Sequence, residues 1–135
     1  MSKLEQEQKI NLVKIAREVR KWAYVPYSHY SVGAAVLTDS GRIYDGVNIE
    51  NAAYPVTVCG ERTAIFKAVS NGERKFQAIA VVTKDGGTPC GSCRQVMAEF
   101  SPDMLVILAD EHGKITAEVK LSDLLPGAFG ADSLK

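Results

Sequence analysis

Apolar positions recur along this chain first at helical and then at strand spacing. Leu12, Ile15, Ala16, Val19 and Ala23 fall on one face of a helix, with Lys14, Arg17, Arg20 and Lys21 elsewhere. Pro26 ends that pattern. The stretch from Ser31 to Leu37 is small and β-branched and reads as a buried strand. Asp39-Ser40-Gly41 is a turn, and Arg42 to Val47 completes a hairpin. Asn48 to Val58 is irregular and contains Pro55. Ala64, Ile65, Ala68 and Val69 predict a helix from Gly60 to Ser70, closed by Asn71-Gly72. Within Phe76 to Thr83, the run Ala78-Ile79-Ala80-Val81-Val82 is apolar on both faces, as in a central strand covered on both sides. A loop from Lys84 to Pro89 leads to a helix from Gly91 to Phe100 and a short buried strand from Leu105 to Ala109. Asp110 to Gly113 turns the chain into a strand over Ile115 to Val119. Ser122 is expected to cap a short helix through Leu125, before Pro126-Gly127.

A hairpin followed by alternating helices and strands predicts an α/β fold. The expected form is a three-layer α/β/α sandwich around a mixed sheet of five strands. With no repeat, linker or low-complexity tract, residues 1–135 read as a single domain.

Composition narrows the partners. Sixteen Lys+Arg balance sixteen Asp+Glu, so the net charge is +0. A nucleic-acid binder usually carries a basic excess, and no basic-aromatic tract stands out, so no nucleic-acid partner is expected. No apolar run approaches a membrane span and the first residues are polar, so the expectation is a cytoplasmic protein without membrane association. Three cysteines are an odd count, which argues against a closed disulfide framework.

All three cysteines stand at element junctions. Cys59 precedes one predicted helix; Cys90 and Cys93 open the next in Pro89-Cys90-Gly91-Ser92-Cys93. A spacing of three puts Cys90 and Cys93 on the same face of a helical turn. Helix N-termini favour thiolates, the form that binds zinc. The interval from Cys59 to Cys90 holds a helix, a strand and a loop, a crossover able to bring both helix starts to one sheet edge. Three protein ligands leave one tetrahedral position open, as in catalytic zinc sites. A fourth ligand from His29 or His112 stays open on spacing alone, although both sit in turn-like surroundings and read as solvent-facing. Glu61 follows Cys59 by two residues, where a carboxylate can move protons beside an open metal position.

Cys59-Gly60-Glu61 followed by Pro89-Cys90-x-x-Cys93 matches the zinc-deaminase signature, with Cys in place of His. With Val32-Gly33-Ala34-Ala35, Asn48-Ile49-Glu50-Asn51-Ala52-Ala53-Tyr54, Arg94-Gln95-Val96 and Leu124-Leu125-Pro126, the chain resembles the small three-cysteine cytidine deaminases from about Tyr24 to Phe129. The resemblance implies one Zn²⁺ per subunit on Cys59, Cys90 and Cys93. It also implies hydrolytic deamination of free cytidine and 2′-deoxycytidine in pyrimidine salvage. Zinc-bound hydroxide would attack C4 of the base, with Glu61 as proton shuttle. Arg62 would hydrogen-bond the cysteine sulfurs and offset their charge. Asn48 and Glu50, alternating at a strand end, would hold the ribose, Tyr30 would lie against the pyrimidine, and the Gly60 N–H would meet its carbonyl. Ala52, Tyr54 and Phe129 match positions that reach a neighbouring subunit's site, implying a homotetramer.

Two positions depart from the pattern. Gly60 stands where relatives usually carry alanine, which predicts a roomier pocket tolerant of altered pyrimidines. Val47 stands where many have a further cysteine. Competing readings are deamination of a nucleoside-like antibiotic, of a polynucleotide or of a deoxynucleotide, and a zinc-stabilised binding module without catalysis. Asn48-Ile49-Glu50-Asn51 favours plain nucleosides, and a binding module would have no need of Glu61.

Overall fold

The computed structural model describes residues 4–134. Helix α1 spans Gln6–Val19 and continues as a 3₁₀ turn, Arg20–Trp22. Strands β1 (Gly33–Thr38) and β2 (Ile43–Val47) form the expected hairpin. Helix α2 (Gly60–Ser70) leads to β3 (Phe76–Val82), and α3 (Gly91–Phe100) to β4 (Leu105–Ala109). Strand β5 (Ile115–Lys120) and the short helix α4 (Leu121–Leu124) follow.

The five strands lie in the order β2-β1-β3-β4-β5. Only β3 and β4 are parallel; the other neighbours are antiparallel. Period-two alternation of side chains then builds two cores. Val36, Ile79, Val81, Val106 and Leu108 face α2, α3 and α4. Ala35, Ala78, Ala80 and Ala109 face α1, whose Leu12, Val13 and Ala16 are buried against them. The small residues on that face let α1 lie close. An added Cβ on Gly33 of β1 would come 2.1 Å from the Ala16 carbonyl oxygen. Helices on both faces complete the three-layer α/β/α sandwich. Among the described residues no helix is long and apolar enough to cross a membrane.

Three local expectations change. The first helix stops well short of Pro26, because the chain tightens into the 3₁₀ turn, so Ala23 lies beyond the helical face. Ser122 does not cap α4. The cap position is Lys120, the last residue of β5, and Ser122 sits inside the helix. The segment from Asn48 to Val58 is less irregular than expected: Ile49 bridges both Tyr24 and Val58, and a 3₁₀ turn covers Tyr54–Val56.

Candidate active site

Strand register brings the predicted residues together. Gly33 of β1 pairs with Val47 of β2 on one side and Val82 of β3 on the other. The next residues outward, Val32, Asn48 and Thr83, therefore emerge side by side at one sheet edge. The chain leaving β2 at that edge runs to Cys59 and α2; the chain leaving β3 there runs to Cys90 and α3. They enclose a cleft of about 320 Å³, which is within the usual range for small-molecule sites. Tyr30, Asn48, Glu50, Cys59, Glu61 and Cys90 all line it.

Cys59 and Cys90 are the N-cap residues of α2 and α3. Their sulfurs are 3.7 Å apart, and Cys90 Sγ lies 3.4 Å from Cys93 Sγ. Tetrahedral Zn–S bonds of about 2.3 Å would put sulfurs about 3.8 Å apart. The two separations from Cys90 match that spacing to within a few tenths of an ångström, and all three sulfurs lie within 4.8 Å of one another. Hydrogen bonding to Cys93 and to Arg62 holds Cys59 well below the usual thiol range. Sharing a proton with Cys59, together with burial, pushes Cys93 far up. A divalent cation in place of the shared proton would hold all three as thiolates, so the donor set fits zinc. Cys93 is buried, whereas Cys59 and Cys90 face the cleft, so the open side of the cluster faces it too. Among the described residues neither His29 nor His112 joins the cluster.

Glu61, in the first turn of α2, is only 4% exposed. Its Oε1 is buried without a hydrogen-bond partner. An unmet buried acceptor costs about 1–3 kcal/mol, and such a group in a cleft is available to a ligand. Burial, reinforced by the charge on Cys59, raises its carboxyl to about 7. Arg62 Nη2 lies 3.5 Å from Cys59 Sγ, the contact expected of it.

Asn48 and Glu50 do share a face, and Ile49 points away and is exposed. Both side chains already brace the cleft wall. Asn48 Oδ1 accepts from Val32 N at 2.9 Å, and Nδ2 donates to the Tyr30 carbonyl at 2.8 Å. Glu50 accepts from the backbone N–H of Tyr27 and Ser28 and from the Ser28 hydroxyl. The Ser28 hydroxyl, with those backbone bonds, keeps Glu50 below the usual carboxylate range. Tyr30 is partly exposed rather than core, so its ring is a cleft wall.

Gly60 does not line the cleft. A Cβ there would come 3.1 Å from the Val32 carbonyl oxygen and 3.3 Å from Asn48 N. The absent methyl therefore leaves no extra room beside a substrate. It lets the strand ends carrying Val32 and Asn48 approach α2. Gly60→Ala is expected to push that wall by a few tenths of an ångström and alter KM more than kcat. Steady-state kinetics would check this; unchanged KM would mean the wall gives freely.

Tyr54 is 71% exposed, with its ring edge-on to Tyr27. Phe129 is 59% exposed, so it does not pack into its own chain's core. Its carbonyl accepts from Gln95 Nε2, which holds the segment on α3. Neither Phe129, Tyr54 nor Ala52 lines the zinc-side cleft of its own chain. Ser28, Thr83, Thr88 and Gly87 do line it, and the sequence reading assigned them no role. The strand-ending Thr83 before Lys-Asp-Gly-Gly was the available signal.

The model of the cytidine and deoxycytidylate deaminase zinc-binding region matches residues 6–109. The chain belongs to this deaminase family. It is 52% identical over 126 residues to a cytidine deaminase of Sporosarcina psychrophila, spanning 91% of this chain and 92% of the relative. For a cytidine deaminase of Halalkalibacterium halodurans the identity is 53% over 126 residues, or 91% and 95% of the two chains. The crystal structure of a Burkholderia pseudomallei cytidine deaminase superposes with a TM-score of 0.85 at 41% identity, covering 93% of this chain and all of that one. The cysteine triangle thus lies in the family's zinc-binding region.

Proposed function

We propose that this deaminase-family chain hydrolyses free cytidine and 2′-deoxycytidine to uridine and 2′-deoxyuridine, as a step of pyrimidine salvage. The observation that carries the reading is the buried, partnerless Glu61 oxygen in the cleft that Cys59 and Cys90 also line. In the overall reaction water oxygen bonds to C4, the C4–N4 bond breaks, and ammonia leaves. Cys59, Cys90 and Cys93 would hold the zinc, which would supply Lewis acidity and lower the pKa of a water. Glu61 takes a proton from the attacking water and delivers it to ring N3. It then passes the second water proton to N4, so that the leaving group is neutral ammonia. Arg62 offsets the excess negative charge of three thiolates around a divalent ion.

Tyr30 forms the aromatic wall for the base. The Gly60 N–H, in the first helical turn where amides lack an i−4 carbonyl, would be the donor to the base carbonyl, reached from just behind the cleft lining. Asn48 and Glu50 retain acceptor and donor capacity for ribose hydroxyls. Among the described residues no Lys or Arg lines the cleft, while Glu50 and Glu61 do. That favours a neutral nucleoside over a phosphorylated one.

The same reading makes the protein a homotetramer in which Ala52, Tyr54 and Phe129 complete a neighbour's site. Trp22, Tyr24, Ile49, Tyr54 and Val56 support it: these are large apolar side chains left exposed around the Tyr24–Ile49 bridge.

The test follows ultraviolet absorbance of cytidine, deoxycytidine and cytidine 5′-monophosphate with the purified protein, with and without a strong zinc chelator. Both nucleosides should lose the cytosine band, the loss should stop when metal is removed, and the monophosphate should react far more slowly. Zinc-loaded protein that leaves both nucleosides intact would overturn the assignment.

A further inference from the structure

The Tyr30 hydroxyl does not end in solvent. It donates to Asp85 Oδ1 at 2.8 Å, across 55 residues of chain. Asp85 is exposed and belongs to the loop between β3 and α3, the loop that ends at Cys90. That loop is pinned at its other points. Thr83 Oγ1 accepts from Gly86 N at 2.8 Å and Gly87 N at 3.1 Å, and donates to Asp85 Oδ1 at 3.3 Å. Thr116 Oγ1 of β5 donates to the Gly86 carbonyl at 3.0 Å. Gly86 has φ +75, and a Cβ there would come 2.5 Å from Thr116 Oγ1. Asp85 is further bridged to Asp110 through the backbone.

Tyr30 itself is held at its backbone: its N–H donates to Ser28 Oγ and its carbonyl accepts from Asn48. Its ring is partly exposed, so packing alone does not fix it. The hydrogen bond from its hydroxyl to Asp85 restrains the tip of the ring, with Thr83 beside it.

We propose that Asp85 is a positioning residue of this site: by accepting the Tyr30 hydroxyl it locks the aromatic wall of the cleft to the loop that delivers Cys90. The role concerns binding of the base rather than the chemical step, and it rests on the nucleoside reading above. Burial and the bond to Asp85 both raise the Tyr30 phenol, which keeps it the donor at neutral pH. The bond to Tyr30 is the main reason Asp85 stays ionised below the usual range.

Asp85→Ala should raise KM for cytidine about five-fold, the net worth of one ordinary hydrogen bond, since solvent exposure at Asp85 weakens the charge assistance. kcat should stay within about two-fold, and zinc content should be unchanged. Tyr30→Phe should give the same shift, and the double variant should be no worse than either single one. Asp85→Asn keeps Oδ1 as an acceptor and should restore most of the loss. The inference is overturned by unchanged KM in Asp85→Ala, by additive effects in the double variant, or by a fall in kcat accompanied by zinc loss. The last outcome would make the loop purely structural. Active wild type with indifferent Asp85 variants overturns this inference alone. Inactive zinc-loaded wild type overturns the nucleoside reading and this inference with it.

Discussion

Glu61→Gln is expected to lower kcat on cytidine by about 10²- to 10⁴-fold, the usual weight of a positioned general acid–base group. Glutamine matches the shape of glutamate and still forms hydrogen bonds, but it cannot carry a proton from water to N3 and then to N4. Glu61 lies outside the sulfur triangle, so the variant should bind zinc at the wild-type ratio and keep its fold. KM should move little, because the interaction lost is one made only in the transition state. The decisive pair of measurements is kcat at saturating cytidine and metal content on the same preparation. Near-normal kcat with full zinc would remove Glu61 from the proton path. Low kcat with low zinc would make it a support for the cluster instead.

The second large effect concerns a residue that touches no substrate. Gly46 of β2 lies against the first turns of α2. A Cβ there would stand 2.4 Å from Ala64 N and 2.9 Å from the Gly60 carbonyl oxygen. Both neighbours are helix backbone, so no rotamer change relieves the clash. Overpacking costs about 1–3 kcal/mol, and a backbone clash this close belongs at the upper end. Gly46→Ala should therefore lower Tm by on the order of 10 °C. Moving α2 also moves Cys59, Glu61 and Arg62 relative to α3, so zinc should bind more weakly. Thermal unfolding with and without added zinc measures both effects. An unchanged Tm would show that α2 slides over β2 without cost.

The two cases differ in how far the sequence announced them. Glu61 was legible because its chemistry is local: two residues from a thiol, on the first turn of a helix whose apolar face is plain. The central strands were legible for a similar reason, since the run from Ala78 to Val82 reports burial on both faces without reference to its neighbours. Gly46 was not legible as an obligatory glycine. Its constraint comes from a helix more than a dozen residues later, packed at a distance no pattern encodes. The Tyr30–Asp85 bond depends in turn on β1 lying directly between β2 and β3, a strand order that alternation of elements does not specify. Ser122 has the propensity of a cap but not the backbone position of one. β5 runs straight into α4, so the cap position falls on Lys120. At Gly60, spacing alone does not tell which way a missing methyl would point; the structure turns it toward Val32 and Asn48.

Zinc bound by the three cysteines would act on the whole molecule. Cys59 and Cys90 are separated by 31 residues, comprising all of α2 and β3. A metal ion gripping both closes that stretch into a loop. A covalent link of this span would remove about 3–4 kcal/mol of conformational entropy from the unfolded chain, and an ion held by three thiolates acts in the same direction. Because the unfolded chain cannot assemble the triangle, stability rises with free zinc as the logarithm of its concentration over Kd. The protein's lifetime in the folded state is thereby tied to the same metal supply that sets its activity.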